Sequence, residues 1–258
     1  AQDAIHGDTM VKESLDEQLS KALLTGRDDA VMVGVLDRPV HRALVAPFQA
    51  LRDDAARAGF DLRIVSGFRS FDRQLAIWNA KASGQRTLLD SRGCELAFET
   101  LDESALVDCI LRWSALPGAS RHHWGSDIDV IDAAAVPDDY EVQLTPAEVE
   151  DDGPFAPMHD WLDKQLSNGA GYGFFRPYNE DRGGIAPERW HLSYAPLSAR
   201  CEAALRPAVL RQQLEDSELL LKANVLARLD ELFRRYVSVP AEVYPSAYAP
   251  LLVEGERE

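Results

Sequence analysis

Cysteine is scarce in this 258-residue chain. There are three, Cys94, Cys109 and Cys201, widely spaced and with no CxxC pair. That argues against a disulfide framework and leaves reduced, buried or half-buried thiols as the expectation, with one disulfide plus one free thiol as the alternative. Long apolar runs are missing too. The longest, AVMVGVL at 30–36 and APLLV at 249–253, fall far short of the ~18 residues a membrane-spanning helix needs, so no transmembrane segment is expected. Positive charge is in deficit, with Lys+Arg 27 against Asp+Glu 43 and a net charge of −16. Such a chain repels phosphate backbones unless cations gather on one face. No Lys/Arg cluster of that kind is visible, so nucleic acid is not expected as a partner. Neither GxGxxG nor a P-loop occurs, and there is no internal repeat. The opening AQDAIHGDTMVKES has no basic n-region and no apolar h-region, so it does not read as a secretory signal. With reduced thiols this points to a cytoplasmic setting, or a periplasmic or exported one if a signal peptide precedes Ala1.

What is present is an ordinary mixture, 46% hydrophobic and 27% charged, enough to bury a sizeable core. Leu15, Leu19 and Leu23 at four-residue spacing predict a helix over 11–24, ended by Gly26. Leu44, Phe48, Leu51 and Ala55 predict a second over 40–58, stopped by Gly59. DLRIVSG (61–67) reads as a strand into a turn, and Ser70 or Asp72 as the cap of a third helix carrying Leu75, Ile77 and Trp78. Residues 83–100 read as a surface loop and 101–113 as helix. DIDVID (127–132) alternates at period two and reads as a strand, 133–154 as an acidic loop, and 155–166 as helix. GYGFF (171–175) and ERWHLSYAP (188–196) are further strand candidates. Beyond Pro196, Leu219, Ala223, Leu226, Leu229, Phe233 and Val237 share a stripe that predicts a helix over 217–237, and 238–258 are expected to be extended and partly disordered. Short strands interspersed with helices, across Gly-rich turns, imply α+β rather than a doubly wound sheet.

The chemistry concentrates in three stretches. Of the six histidines, His6, His41 and His159 sit in contexts that ask for no special role. SRHHWGSDID (120–129) is different, because His122, His123, Asp127 and Asp129 are all metal-ligand types within ten residues. On a straight strand His122 and Asp129, seven apart, would face opposite sides, while parity favours His123; Gly125 lets the chain turn between them, so spacing alone does not choose. In PERWHLSY, Glu188 stands three residues before His191, a histidine ligand with a carboxylate beside it, the minimal kit for metal-assisted hydrolysis. In SGFRSFDRQ (66–74), Arg69 follows a predicted strand in a Gly/Ser turn, from which its guanidinium fork could meet a carboxylate or an oxyanion.

Taken in order, SGFRSFDRQ, SRHHWGSDID and ERWH resemble the motifs of the D-alanyl-D-alanine carboxypeptidase family of zinc metallopeptidases. This is the family of the vancomycin-resistance D,D-carboxypeptidases and D,D-dipeptidases, within the group that includes lysostaphin-type endopeptidases and the hedgehog signalling domain. The resemblance covers roughly residues 40–196. It implies one zinc ion held by His122, Asp129 and His191, with Glu188 as general acid/base and Arg69 as stabiliser of the transition state. Gln74 and Ser120 match supporting motif positions, and Trp190 and His123 are expected to shape the substrate groove. Phe68 replaces the usual Tyr. Asp127 departs more, standing where the family has a small apolar residue.

The implied domain plan is an N-terminal helical segment (1–39), a catalytic domain (40–196) with a small antiparallel sheet carrying the zinc site between flanking helices, and a helical C-terminal extension (197–258) packed on the core with a flexible tail. The expected activity is zinc-dependent D-alanyl-D-alanine carboxypeptidase action on peptidoglycan-derived peptides ending in D-Ala-D-Ala or a related muropeptide. The alternatives are a cell-wall endopeptidase of the same group, cutting an L,D bond or a cross-link, and a catalytically silent zinc-containing binding domain. Oligomeric state does not follow from the sequence.

Overall fold

The computed structural model describes residues 19–254. Its first supersecondary unit is a hairpin of β1 (Met32–Val35) and β2 (Arg38–His41), with Val35 opposite Arg38. The two turn residues, Leu36 and Asp37, both have positive φ (47° and 67°), as a type I′ turn requires. Leu-Asp carries none of the Asn-Gly signal of such turns, and the expectation of a helix from residue 40 fails here. Val40 and His41 belong to β2, a 3₁₀ turn follows over Arg42–Leu44, and the helix proper is Val45–Arg57. Of the helix expected over 11–24 only Lys21–Leu24 is seen, and the part before residue 19 lies outside the described residues.

β3 (Leu62–Ser66) leads into the helix Phe71–Ala82, where Ser70 Oγ accepts the N–H of Arg73 as N-cap. Phe71, Gln74, Trp78 and Ala82 form its buried stripe. The expected loop 83–100 contains a small hairpin of β4 (Leu88–Leu89) and β5 (Glu95–Leu96). Asp102 caps the helix Glu103–Trp113. Then come β6 (Asp127–Asp132), the helix Ala156–Ser167, β7 (Phe174–Phe175) and β8 (His191–Tyr194). The main sheet runs β3-β6-β8-β7, antiparallel throughout. The fold is therefore α+β with a small antiparallel sheet, as expected.

β6 is the centre of this sheet, and all six of its residues are buried. Alternation gives its two faces different tasks. Ile128 and Val130 enter the main core with Phe48, Trp78, Leu162 and Leu192. Asp127 and Asp129 point the other way, with Ile131, which packs on Trp190, Val149 and Phe155. The same main core takes in Leu197, Leu210, Val225 and Leu229 from the C-terminal helices.

The stripe expected over 217–237 does bury Leu219, Leu229 and Val237, but on a broken path. Leu221 is left-handed (φ 63°) and Arg228 breaks the helix, giving Lys222–Ala227, Leu229–Leu232 and a π turn over Phe233–Val237. The tail expected to be extended and partly disordered has a 3₁₀ turn (Ala241–Val243), a buried Tyr244 and a helix over Ala249–Glu254. Residues 255–258 lie outside the described residues. No described helix is long and apolar enough to cross a membrane.

Two buried histidines are held neutral by their partners. His41 Nδ1 accepts the N–H of Ala43, and His159 Nδ1 accepts from Arg176 Nη2, so neither nitrogen can take a proton without losing a bond. Burial, reinforced by Arg42, lowers His41 to about 4; burial, reinforced by Arg176 and Arg189, lowers His159 to about 2. Below pH ~6.5 the unfolded chain binds protons that the folded chain refuses, so stability falls as pH drops, by up to about 1.4 kcal/mol per pH unit for each histidine. Urea unfolding at pH 7 and pH 5 should show this loss, and His159→Gln should lower the proton uptake on unfolding at pH 5 by about one. An unchanged slope would contradict the neutral assignment.

Candidate metal centre

Ser120 opens the site. Its Oγ accepts the N–H of His122 at 3.3 Å and caps a 3₁₀ turn over Arg121–Trp124. Gly125 closes the turn at φ 69°, and a Cβ there would stand 2.5 Å from Met32 Sδ and 2.7 Å from the backbone nitrogen of His41, so the reversal under the β1–β2 hairpin needs glycine. Both histidines precede this reversal, and strand parity therefore has no bearing on which of them meets Asp129. On the strand, register decides: Asp129 lies opposite His191, and Asp127 opposite Ser193.

His122, Asp129 and His191 converge, with one ligand atom from each lying within 4.8 Å of the others. His122 Nδ1 donates to the Gly67 carbonyl at 2.9 Å, leaving Nε2 bare at 3.4 Å from Asp129 Oδ2. His191 Nδ1 is 3.7 Å from Asp129 Oδ1. Four tetrahedral ligands at ~2.1 Å from a zinc ion stand ~3.4 Å apart, close to these separations. Asp129 Oδ1 is buried without a hydrogen-bond partner, a costly state for a carboxylate oxygen that a bound cation would relieve. The donor set of two imidazoles and one carboxylate thus fits a divalent ion.

His123 and Asp127 are excluded as ligands by what they already hold. His123 Nε2 accepts the N–H of Gly118 at 3.0 Å and Nδ1 donates to the Arg69 carbonyl at 2.7 Å. The ring is fully buried and stacks near Phe71. The expectation that His123 shapes the substrate groove is therefore corrected: it lies behind the cleft and pins the Arg69 loop. Asp127 is saturated. Oδ1 accepts from Ser126 Oγ (2.6 Å) and Ser193 Oγ (2.8 Å), while Oδ2 accepts from Arg121 Nε (2.7 Å) and His191 Nε2 (2.7 Å). Asp127 thereby fixes the His191 ring with Nδ1 toward Asp129. Burial would raise the Asp127 carboxyl, but Arg121 and His191 overcome this and hold it well below the usual range. Burial would likewise depress His191, yet its bonds to Asp127 and Glu188 lift it to about 10.

Arg121, in turn, donates to Ser193 Oγ and Tyr244 OH, both at 2.9 Å, and to Glu202 Oε1 at 3.2 Å. The C-terminal segment thus reaches the metal ligands through one buried polar chain. Sequence reasoning missed Arg121, although Asp127 in an otherwise apolar position of the motif asks for a counter-charge nearby. It also missed Tyr178, whose ring meets His191 edge-on at 5.0 Å and which no motif marks.

The remaining expected residues line one cleft of about 1140 Å³. Glu188 Oε2 lies 3.1 Å from His191 Nδ1. Arg69 donates from Nη1 to Gln74 Oε1 and from Nη2 to Ser66 Oγ, both at 3.0 Å, and its backbone N–H bonds the His122 carbonyl. Gln74 also donates to the Ala115 carbonyl at 2.8 Å, a bond that anchors the amide whose oxygen holds Arg69. Ser120 and Trp190 line the cleft as well.

A family model described as VanY, D-alanyl-D-alanine carboxypeptidase, matches residues 37–197. Two uncharacterised proteins of Haemophilus influenzae are similar: one is 28% identical over 124 residues, covering 47% of this chain and 92% of the relative, the other 38% identical over 104 residues, covering 38% and 71%. A zinc-complexed mutant of the vancomycin resistance D,D-pentapeptidase VanY aligns at 18% identity and a TM-score of 0.44, covering 75% of this chain and 88% of that one.

The geometry separates the neighbouring side chains experimentally. His122→Ala should lose bound zinc, whereas His123→Ala should keep it while losing about 1–3 kcal/mol of stability through the unsatisfied Gly118 N–H and Arg69 carbonyl. Asp127→Asn should weaken zinc about 10–100-fold. Metal analysis and chelator competition read these out, and zinc loss in His123→Ala alone would overturn the assignment.

Proposed function

This chain belongs to the VanY D-alanyl-D-alanine carboxypeptidase family, and on that basis we propose that it is a zinc-dependent carboxypeptidase that removes the terminal D-Ala from peptidoglycan-derived peptides ending in D-Ala-D-Ala. The observation that carries the reading is the position of Glu188. Its Oε2 stands 3.1 Å from the ring nitrogen of His191 that faces Asp129, so a carboxylate borders the candidate metal position, with no second side-chain partner among the described residues.

In this reading His122, Asp129 and His191 would hold one zinc ion. When bound, the ion supplies a water of lowered pKa and polarises the scissile carbonyl. Glu188 takes the proton of the attacking water and delivers it to the leaving amine. Arg69, clamped by Gln74 and Ser66, keeps further N–H groups for the oxygen that gains charge as the carbonyl is attacked. Burial lowers the Arg69 pKa, with Asp129 and Glu188 opposing, and an arginine remains charged throughout the neutral range.

The test is release of D-Ala from an acyl-D-Ala-D-Ala peptide, from free D-Ala-D-Ala and from intact muropeptides by the zinc-loaded protein. Release from the acylated peptide is expected. Cleavage of the free dipeptide alone would make the protein a dipeptidase, and no release from any of them with zinc bound would leave a silent binding domain. Glu188→Gln should lower kcat by about 10²–10⁴-fold with zinc retained; full activity would remove Glu188 from its role.

A further inference from the structure

Apart from the metal cluster, the charged lining of the cleft is cationic. Arg38, Arg69, Arg73, Lys81, Arg86 and Arg92 line it, and among the described residues the lining holds only two carboxylates, Asp129 and Glu188. This reverses the balance of the chain, which carries 43 acidic residues against 27 basic ones. Arginines elsewhere find counter-ions: Arg52 pairs with Asp61, Arg112 with Asp181, Arg189 with Asp160 and Asp163, and Arg228 with Asp108. Among the described residues, Arg38, Arg73, Lys81, Arg86 and Arg92 pair with no carboxylate.

The wall is assembled by the fold. Arg73, Ile77 and Lys81 recur at four-residue spacing on one face of the helix Phe71–Ala82 and all three line the cleft. Arg86 and Arg92 follow on the segment around the β4–β5 hairpin. Lys81 is half-buried and donates to Ser114 Oγ, and burial together with Arg86 lowers its pKa to about 8. Arg73 and Arg86 lie within electrostatic reach of Arg69, and Arg69 and Glu188 within reach of Lys81. Asp90, close in sequence, spends its carboxylate on the backbone N–H groups of Arg92 and Cys94. Like charges crowded along a cleft raise the free energy of the empty protein, and an anion that enters relieves it.

We propose that the wall formed by Arg73, Lys81, Arg86 and Arg92 is an anion subsite for a carboxylate of the peptide other than the one at its C-terminus. The protein then selects acidic peptides, with free side-chain or backbone-branch carboxylates, over their amidated counterparts. This rests on the peptidase reading above, since it names the substrate class of that same cleft.

The test uses matched acyl-peptides ending in D-Ala-D-Ala that differ only in carrying a carboxylate or a primary amide at one upstream position, with each upstream position tried in turn. Affinity is measured by calorimetry on the zinc-loaded full chain carrying Glu188→Gln, and kcat/KM on the zinc-loaded wild type. The acidic peptide should bind about tenfold tighter at low salt, with the ratio falling toward one at 0.5 M salt as the charges are screened. Lys81→Gln combined with Arg86→Gln should reduce the preference to less than twofold. Equal affinity for acid and amide at every position, or a preference untouched by both salt and the double substitution, overturns the subsite. If the double variant fails to fold, the wild-type salt dependence decides. Preferential binding without cleavage of either peptide would keep the subsite and remove the peptidase reading; cleavage of both with equal affinity would do the reverse.

Discussion

Asp127 is a fully buried carboxylate, and much of the site's architecture follows from keeping it satisfied. An uncompensated charge in that position would cost several kcal/mol, so its four partners have to arrive together. They come from different parts of the chain: Arg121 from the 3₁₀ turn, Ser126 from the chain just past Gly125, and His191 and Ser193 from β8. Bringing them together fixes the 3₁₀ turn against the sheet, seats His122 across from Asp129, and turns the His191 ring so that its other nitrogen faces Asp129 and Glu188. Arg121 extends the same network to Glu202 and Tyr244, which ties the C-terminal segment to the centre of the molecule.

The two sides of the cleft then divide the electrostatic work. One concentrates carboxylates and imidazoles around the position that fits a cation. The other presents cations that pair with no carboxylate among the described residues, in a chain that is otherwise strongly acidic. Opposite signs so close together suit a ligand that offers a polarisable carbonyl to one side and a negative charge to the other.

Much of this was legible in the sequence, for reasons that can be stated. Period-two alternation located the strand 127–132 to the residue, and the Ser70 cap located the helix after β3. The order of three short motifs favoured His122 over His123 where spacing left the choice open, and the ring contacts supply the physical reason: both nitrogens of His123 are occupied by backbone groups. Other features carry no local signal. The Leu36–Asp37 turn lacks the residues that mark a hairpin, so the end of β2, Val40 and His41, reads as the start of a helix. Tyr244 is buried by its phenol finding Arg121, a contact 123 residues distant in sequence. The cationic wall draws on Arg73, Lys81, Arg86 and Arg92, no two of them adjacent in sequence, so a search for a Lys/Arg cluster along the chain finds nothing while the helix face and hairpin segment assemble one in space.

The central claim is that His191 presents Nδ1, not Nε2, to a metal, because Asp127 holds the other side of the ring. A crystal of the zinc-loaded protein, measured across the zinc absorption edge, tests this most directly. The account predicts one anomalous peak at bonding distance from His122 Nε2, an Asp129 carboxylate oxygen and His191 Nδ1, with Asp127 still on His191 Nε2. A peak bonded to His191 Nε2, to Asp127 or to His123 would contradict it.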